Sequence, residues 1–114
     1  LAVLSRHIDA LVQYKVAGDW ATYVELLADG RVAFSPESLN LHRRHDTSVT
    51  LSRFDLSQLT EIMRVQKQVR DRFELDHEVC ARAAAYAQKL YEQFGLASES
   101  HPSIGKHPDL ACLL

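Results

Sequence analysis

Apolar residues recur at helical spacing along most of the chain. Leu4, Ile8, Leu11 and Val12 predict a first amphipathic helix over residues 3–15. Ala17-Gly18 interrupts the pattern. Asp19 then stands where an N-cap belongs, ahead of Trp20, Tyr23, Val24 and Leu27 on one face of a second short helix. Asp29-Gly30 closes that helix, Gly30 being able to take the left-handed conformation at its end. The pattern then changes. Arg31-Val32-Ala33-Phe34 is short and apolar, Ser35-Pro36-Glu37-Ser38 reads as a turn, and Leu39-Asn40-Leu41-His42-Arg43 alternates with the period of a half-buried strand. Two short strands are expected here.

From Asp55 the helical period returns. Asp55 with Gln58 has the form of a capping box, and Leu59, Ile62, Met63, Gln66, Val69 and Phe73 continue as one stripe. Asp76 opens a further helix with Val79, Ala83, Tyr86, Ala87, Leu90 and Phe94 on its face, and Gly95 ends it. The short link at Glu74-Leu75-Asp76 predicts an antiparallel helical hairpin. Beyond Ala97, Ser, Gly and His-Pro pairs predict an irregular tail. The expected class is therefore α+β and mostly α: two short N-terminal helices, two short strands, a helical hairpin and an irregular tail.

Composition narrows the function classes. The 114 residues are 46% apolar and 25% charged, in keeping with one globular domain with a modest core. The formal charge of -2 lacks the general basic footprint of a nucleic-acid binder. No apolar run is long enough for a membrane span. Two cysteines, Cys80 and Cys112, make neither a disulfide scaffold nor a four-ligand zinc site, and a reducing cytoplasm is the simpler expectation. The chain opens on Leu1-Ala2-Val3-Leu4 and closes on Ala111-Cys112-Leu113-Leu114, so both ends read as cut from a longer protein.

Candidate chemistry sits in three places. His42-Arg43-Arg44-His45 could grip a diphosphate, because guanidinium groups bind phosphate oxygens in bidentate fashion; a solvated strand end gives the same residues. Asp19, between Gly18 and Trp20, could act as a general base or as a helix cap. His101, His107, Asp109 and Cys112 lack compact metal-ligand spacing and read as tail residues.

Three stretches taken in order carry a resemblance. Ala17-Gly18-Asp19-Trp20-Ala21-Thr22-Tyr23-Val24-Glu25-Leu26-Leu27 is followed by Gly30-Arg31-Val32-Ala33-Phe34-Ser35-Pro36-Glu37-Ser38-Leu39-Asn40, then by His42-Arg43-Arg44-His45-Asp46-Thr47-Ser48-Val49-Thr50. This order resembles the C-terminal part of the catalytic domain in family 2 glycosyltransferases of the A-type fold. The resemblance implies that residues 1–52 are a piece of that domain, residues 53–96 a helical extension found in bacterial members, and residues 97–114 a tail. It implies inverting transfer from a nucleotide sugar to a saccharide acceptor in building a surface polysaccharide. Asp19 matches the carboxylate that deprotonates the acceptor hydroxyl, and Arg43, His45 and Ser48 match a closing motif near the donor. Gly18 stands where many members carry a second acidic residue. A divalent cation, Mg or Mn, is expected in the parent enzyme, but the Asp-x-Asp that holds it is absent from these residues. The 114 residues alone are therefore expected to be inactive. A helical interaction or dimerisation module, docking or self-associating through the hairpin, is the competing expectation.

Overall fold

The computed structural model describes residues 5, 8, 9, 11–31, 33, 35–37 and 54–114. Its elements are α1 (Gly18–Asp29), α2 (Leu56–Arg72), α3 (His77–Gln93) and two single-turn 3-10 helices, Ile104–Lys106 and Ala111–Leu113.

α2 and α3 form the central pair. α2 starts at a complete capping box: the Asp55 carboxylate accepts from the Gln58 N–H at 3.0 Å, and the Gln58 side chain accepts from the Asp55 N–H at 3.3 Å. Leu59 and Met63 of α2 share a buried cluster with Ala87, Leu90 and Tyr91 of α3. Farther along α2, the Gln66 amide donates to the Ala83 carbonyl at 3.4 Å. Residues later in α2 therefore meet residues earlier in α3, so the two run antiparallel. The Phe54 and Phe94 rings stack at 4.3 Å and tie the start of α2 to the end of α3. α3 ends in a Schellman motif: Gly95 takes φ +65, Leu96 N–H donates to Tyr91 O, and Gly95 N–H donates to Glu92 O.

The tail is part of the core. Ile104 and Leu110 are buried against Leu59, Met63 and Tyr91. Their segment is anchored by the Tyr91 hydroxyl, which donates to the His101 carbonyl at 2.8 Å, and by the Ile104 N–H, which donates to Gln88 Oε1 at 3.0 Å. The tail is irregular, as expected, apart from two short 3-10 turns, and it packs against the hairpin. The Arg70 guanidinium donates to the Leu113 carbonyl and holds the last turn on α2.

α1 lies parallel to α2 on its other side. Ala17, Ala21 and Val24 pack on Val65, with Leu11, Tyr14, Val69 and Phe73 around them. Small residues at 17 and 21 let the two backbones approach, and the larger Trp20, Tyr23 and Leu27 are left exposed. The buried face of α1 is thus rotated from the one its largest apolar residues predict. Glu25, itself buried, accepts from the Arg72 guanidinium at 2.7 Å and from the Gln68 amide.

Three further expectations are corrected. Before α1, Ser5, Ile8, Asp9 and Leu11 are helical, but the helix does not reach residue 15: Gln13 is in a turn and Tyr14 is non-helical. Ile8 and Val12 are exposed, and among the described residues of the predicted face only Leu11 joins the core. Gly30 is extended, at φ -128, rather than left-handed; a Cβ there would lie 2.7 Å from the Leu26 carbonyl oxygen, so close approach is what calls for glycine. Finally, the two strands are not seen. Among the described residues there is no strand, and Arg31 and Ala33 are exposed and outside regular structure. A short apolar run without a laddered partner lacks the pairing that would make it a strand. The alternating stretch at residues 39–43 lies outside the described residues. The described chain is mostly helical rather than α+β.

Candidate ligand groove

The entry to α1 is built around one carboxylate. Glu61, buried in the middle of α2, accepts from the N–H groups of Lys15, Val16 and Ala17 at 2.8–3.1 Å. Burial alone would push its pKa up; the backbone donors at Ala17, Val16 and Lys15, with the Lys15 charge, outweigh that and hold it below its ordinary value. Glu61 is therefore ionised at neutral pH, and it fixes where α1 begins. Close by, burial raises the pKa of the Tyr14 phenol; Arg64 opposes this, while Glu61 and Glu25 add to it.

This arrangement changes the role open to Asp19. The N-cap of α1 is Ala17, which caps with no side chain, and Asp19 is the second residue inside the helix. Its Oδ1 accepts from the Trp20 N–H at 2.8 Å, and its side chain is exposed. The expected N-cap role is corrected: the amides leading into the helix are satisfied by Glu61 from across the fold.

Asp19 and Trp20 stand at the rim of a groove of about 470 Å³ between α1, α2 and α3. Its floor is Ile62, Val65 and Val69 of α2, and its far wall is Val79, Ala83 and Tyr86 of α3. Trp20 is 68% exposed and Tyr86 54%, so two aromatic rings flank an apolar slot. Few polar groups reach it, among them Asp19, Gln66 and Arg70. The volume lies within the roughly 300–1,000 Å³ typical of small-molecule sites, which are mostly apolar with a few placed polar groups.

Of the four residues singled out from sequence, Asp19 is at this groove. Arg43, His45 and Ser48 lie outside the described residues. Glu61 and Tyr86 were not anticipated as site residues. Tyr86 stood on the predicted core face of α3, and its exposure could not be read from spacing. Glu61 carried no local signal, standing between Thr60 and Ile62 in a helix rich in polar residues. Among the described residues no three His, Cys, Asp or Glu side chains come together to hold a metal ion. Nor is any described helix long and apolar enough to cross a membrane. No protein-family model matches the chain, and no curated protein or solved structure is significantly similar to it.

Proposed function

We propose that this chain is the acceptor-activating part of a bacterial glycosyltransferase that uses a nucleotide sugar, with Asp19 as the base. The observation that carries the reading is the placement of Asp19. Its carboxylate is exposed at the mouth of a ligand-sized groove, in the Gly18-Asp19-Trp20 segment on which the family resemblance rests. In this reading the Asp19 carboxylate takes the proton from an acceptor hydroxyl. The hydroxyl oxygen attacks the anomeric carbon of the donor from the face opposite the leaving group. The bond from that carbon to the diphosphate oxygen breaks, the nucleoside diphosphate leaves with the electron pair, and the configuration inverts. A divalent cation would neutralise the diphosphate in the parent enzyme; no step assigned to these residues runs through it. Arg43, His45 and Ser48 are assigned to the donor side by the resemblance alone.

Asp19→Asn in the full gene product is the test. Asn keeps the local hydrogen bond to Trp20 N–H but cannot accept a proton at neutral pH. A positioned base supplies roughly 10²–10⁴-fold, so kcat should fall at least about a hundredfold with donor affinity unchanged. Turnover within a few-fold of the unmodified enzyme refutes the role. The 114 residues alone should give no saturable heat with a panel of nucleotide sugars and manganese; micromolar binding would misplace the donor site.

A second reading, a helical interaction or dimerisation module, is favoured by the exposed rings of Trp20, Tyr23, Tyr86 and Phe94. Sedimentation over a wide concentration range separates the two: a monomer throughout argues against self-association.

A further inference from the structure

α1 is fastened to α2 by two carboxylates, one offered by each helix. At the start of α1 no side chain of its own caps the helix, and Glu61 of α2 takes the N–H groups of Lys15, Val16 and Ala17. Its Oε2 collects all three at 2.8–3.1 Å, and Oε1 accepts from Lys15 as well. In the second half of α1, Glu25 accepts from Arg72 and Gln68 of α2. The two fastenings differ in what stands beside them. Val16 and Ala17 line the groove together with Asp19 and Trp20. Asp19 is two residues past Ala17, about 3 Å along the helix axis, whereas Glu25 is six residues beyond Asp19, about 9 Å farther on. Helix ends fray when their terminal groups are released. Asp19 lies in the turn that loss of the Glu61 clamp would free, and that turn stays clamped when the Glu25 contacts are lost.

We infer that Glu61 is the positioning residue of this site: its grip on the three N–H groups sets where Asp19 and Trp20 stand at the mouth of the groove. The catalytic half of this inference rests on the proposed role of Asp19 as base; the placement of Trp20 does not. Glu61 itself touches no reacting atom. Its side chain is buried, and both its oxygens are engaged by the backbone. Its effect on turnover therefore passes through Asp19. Misplacing a reacting group by about 1 Å can cost about a hundredfold in rate, so a base on a frayed first turn loses kcat without any loss of donor contacts.

Glu61→Gln and Glu25→Gln make the same chemical change at the two fastenings and form the test. Both are assayed well below their unfolding midpoints, in the full gene product for turnover and in the 114 residues for Trp20, their one tryptophan. Glu61→Gln should lower kcat about tenfold with KM for the donor unchanged, and should lower the fluorescence anisotropy of Trp20. Glu25→Gln should leave kcat within about twofold and the anisotropy unchanged, although it too costs stability. Asp19→Asn combined with Glu61→Gln should turn over no more slowly than Asp19→Asn alone, since a positioning residue then has no base to place. Losses that multiply overturn the inference, as does an anisotropy change of the same size in Glu61→Gln and Glu25→Gln, or in neither. The outcomes distinguish the two proposals. If Asp19→Asn keeps turnover, the base fails, and the anisotropy contrast alone decides whether Glu61 places the groove mouth. If Asp19→Asn loses turnover while Glu61→Gln matches the unmodified protein in kcat and anisotropy, the base stands and the positioning role fails.

Discussion

Replacing Glu61 by Gln removes the charge that organises the entry to α1 while keeping the size of the side chain. Three N–H groups, from Lys15, Val16 and Ala17, converge on this carboxylate, and Ala17 is buried. A hydrogen bond to a charged group contributes about 1.5–3 kcal/mol, and a buried donor left without a partner costs about 1–3 kcal/mol. The three bonds act as a unit, so the loss is less than their total. Gln retains one acceptor oxygen but turns an amide N–H₂ toward the same donors. The expected loss at neutral pH is about 2–3 kcal/mol for Glu61→Gln and about 3–5 kcal/mol for Glu61→Ala. Against a typical domain stability of about 5–15 kcal/mol, the Gln variant should stay folded and measurable. Urea denaturation should show a midpoint lowered by about 1 M or more, with the slope little changed. The pH dependence supplies a second check. The folded-state carboxyl titrates below its ordinary value, so its stabilisation is present above the ordinary carboxylate range and is lost as pH falls through the folded value. The gap between the unmodified protein and Glu61→Gln should therefore close in acid. Equal midpoints at neutral pH, or a gap that widens on acidification, would refute the assigned role.

Other outcomes follow from named contacts. Asp55→Ala removes the carboxylate half of the capping box, leaving the backbone N–H of residue 55 to the Gln58 side chain, and should cost about 0.5–2 kcal/mol by urea denaturation, with Asp55→Asn largely preserving stability. Ile104→Ala should cost about 2–5 kcal/mol, because the side chain is buried against Leu59 and Tyr91; a neutral result would mean that the tail is not core. Gly30→Ala should destabilise by about 1 kcal/mol or more, since the new Cβ meets the Leu26 carbonyl, and calorimetry should register a lower melting temperature.

Legibility in the sequence followed the range of the interaction. The capping box at Asp55 and Gln58 and the chain reversal at residues 73–76 were readable because their partners lie within a few residues. The Glu61 clamp was not, because its donors lie 44–46 residues away and an isolated Glu in a helix looks like any surface acid. On α1 the alanines, rather than the largest apolar residues, mark the buried face, since close helix approach outweighs side-chain size there. Ile104 and Leu110 were hidden for another reason: single apolar residues in short 3-10 turns have no period to detect. The short apolar run at residues 31–34 and the alternation at residues 39–43 suggested strands, yet no strand is present among the described residues. For the candidate site, Asp19 was found from its neighbours Gly18 and Trp20, whereas the groove exists only once three separate helices converge.

α2 separates two cores, and this sets an order in which the structure can open. Leu59 and Met63 face the cluster shared with α3 and the tail, and Val65 faces α1. The first cluster holds the fully buried Tyr91, Leu59, Met63, Ile104 and Leu110, whereas the second is built mainly on two alanines and two valines with the Glu61 and Glu25 contacts. Less apolar surface is at stake in the second, so α1 belongs to the lower-energy opening unit and the hairpin with its tail to the higher one. Amide protons in α1 should exchange with solvent ahead of those at the centre of α2 and α3. Because α1 supplies one side of the groove, its release unroofs the slot while the other two walls stay intact, so a ligand wider than the mouth has a route inward that does not pass through global unfolding.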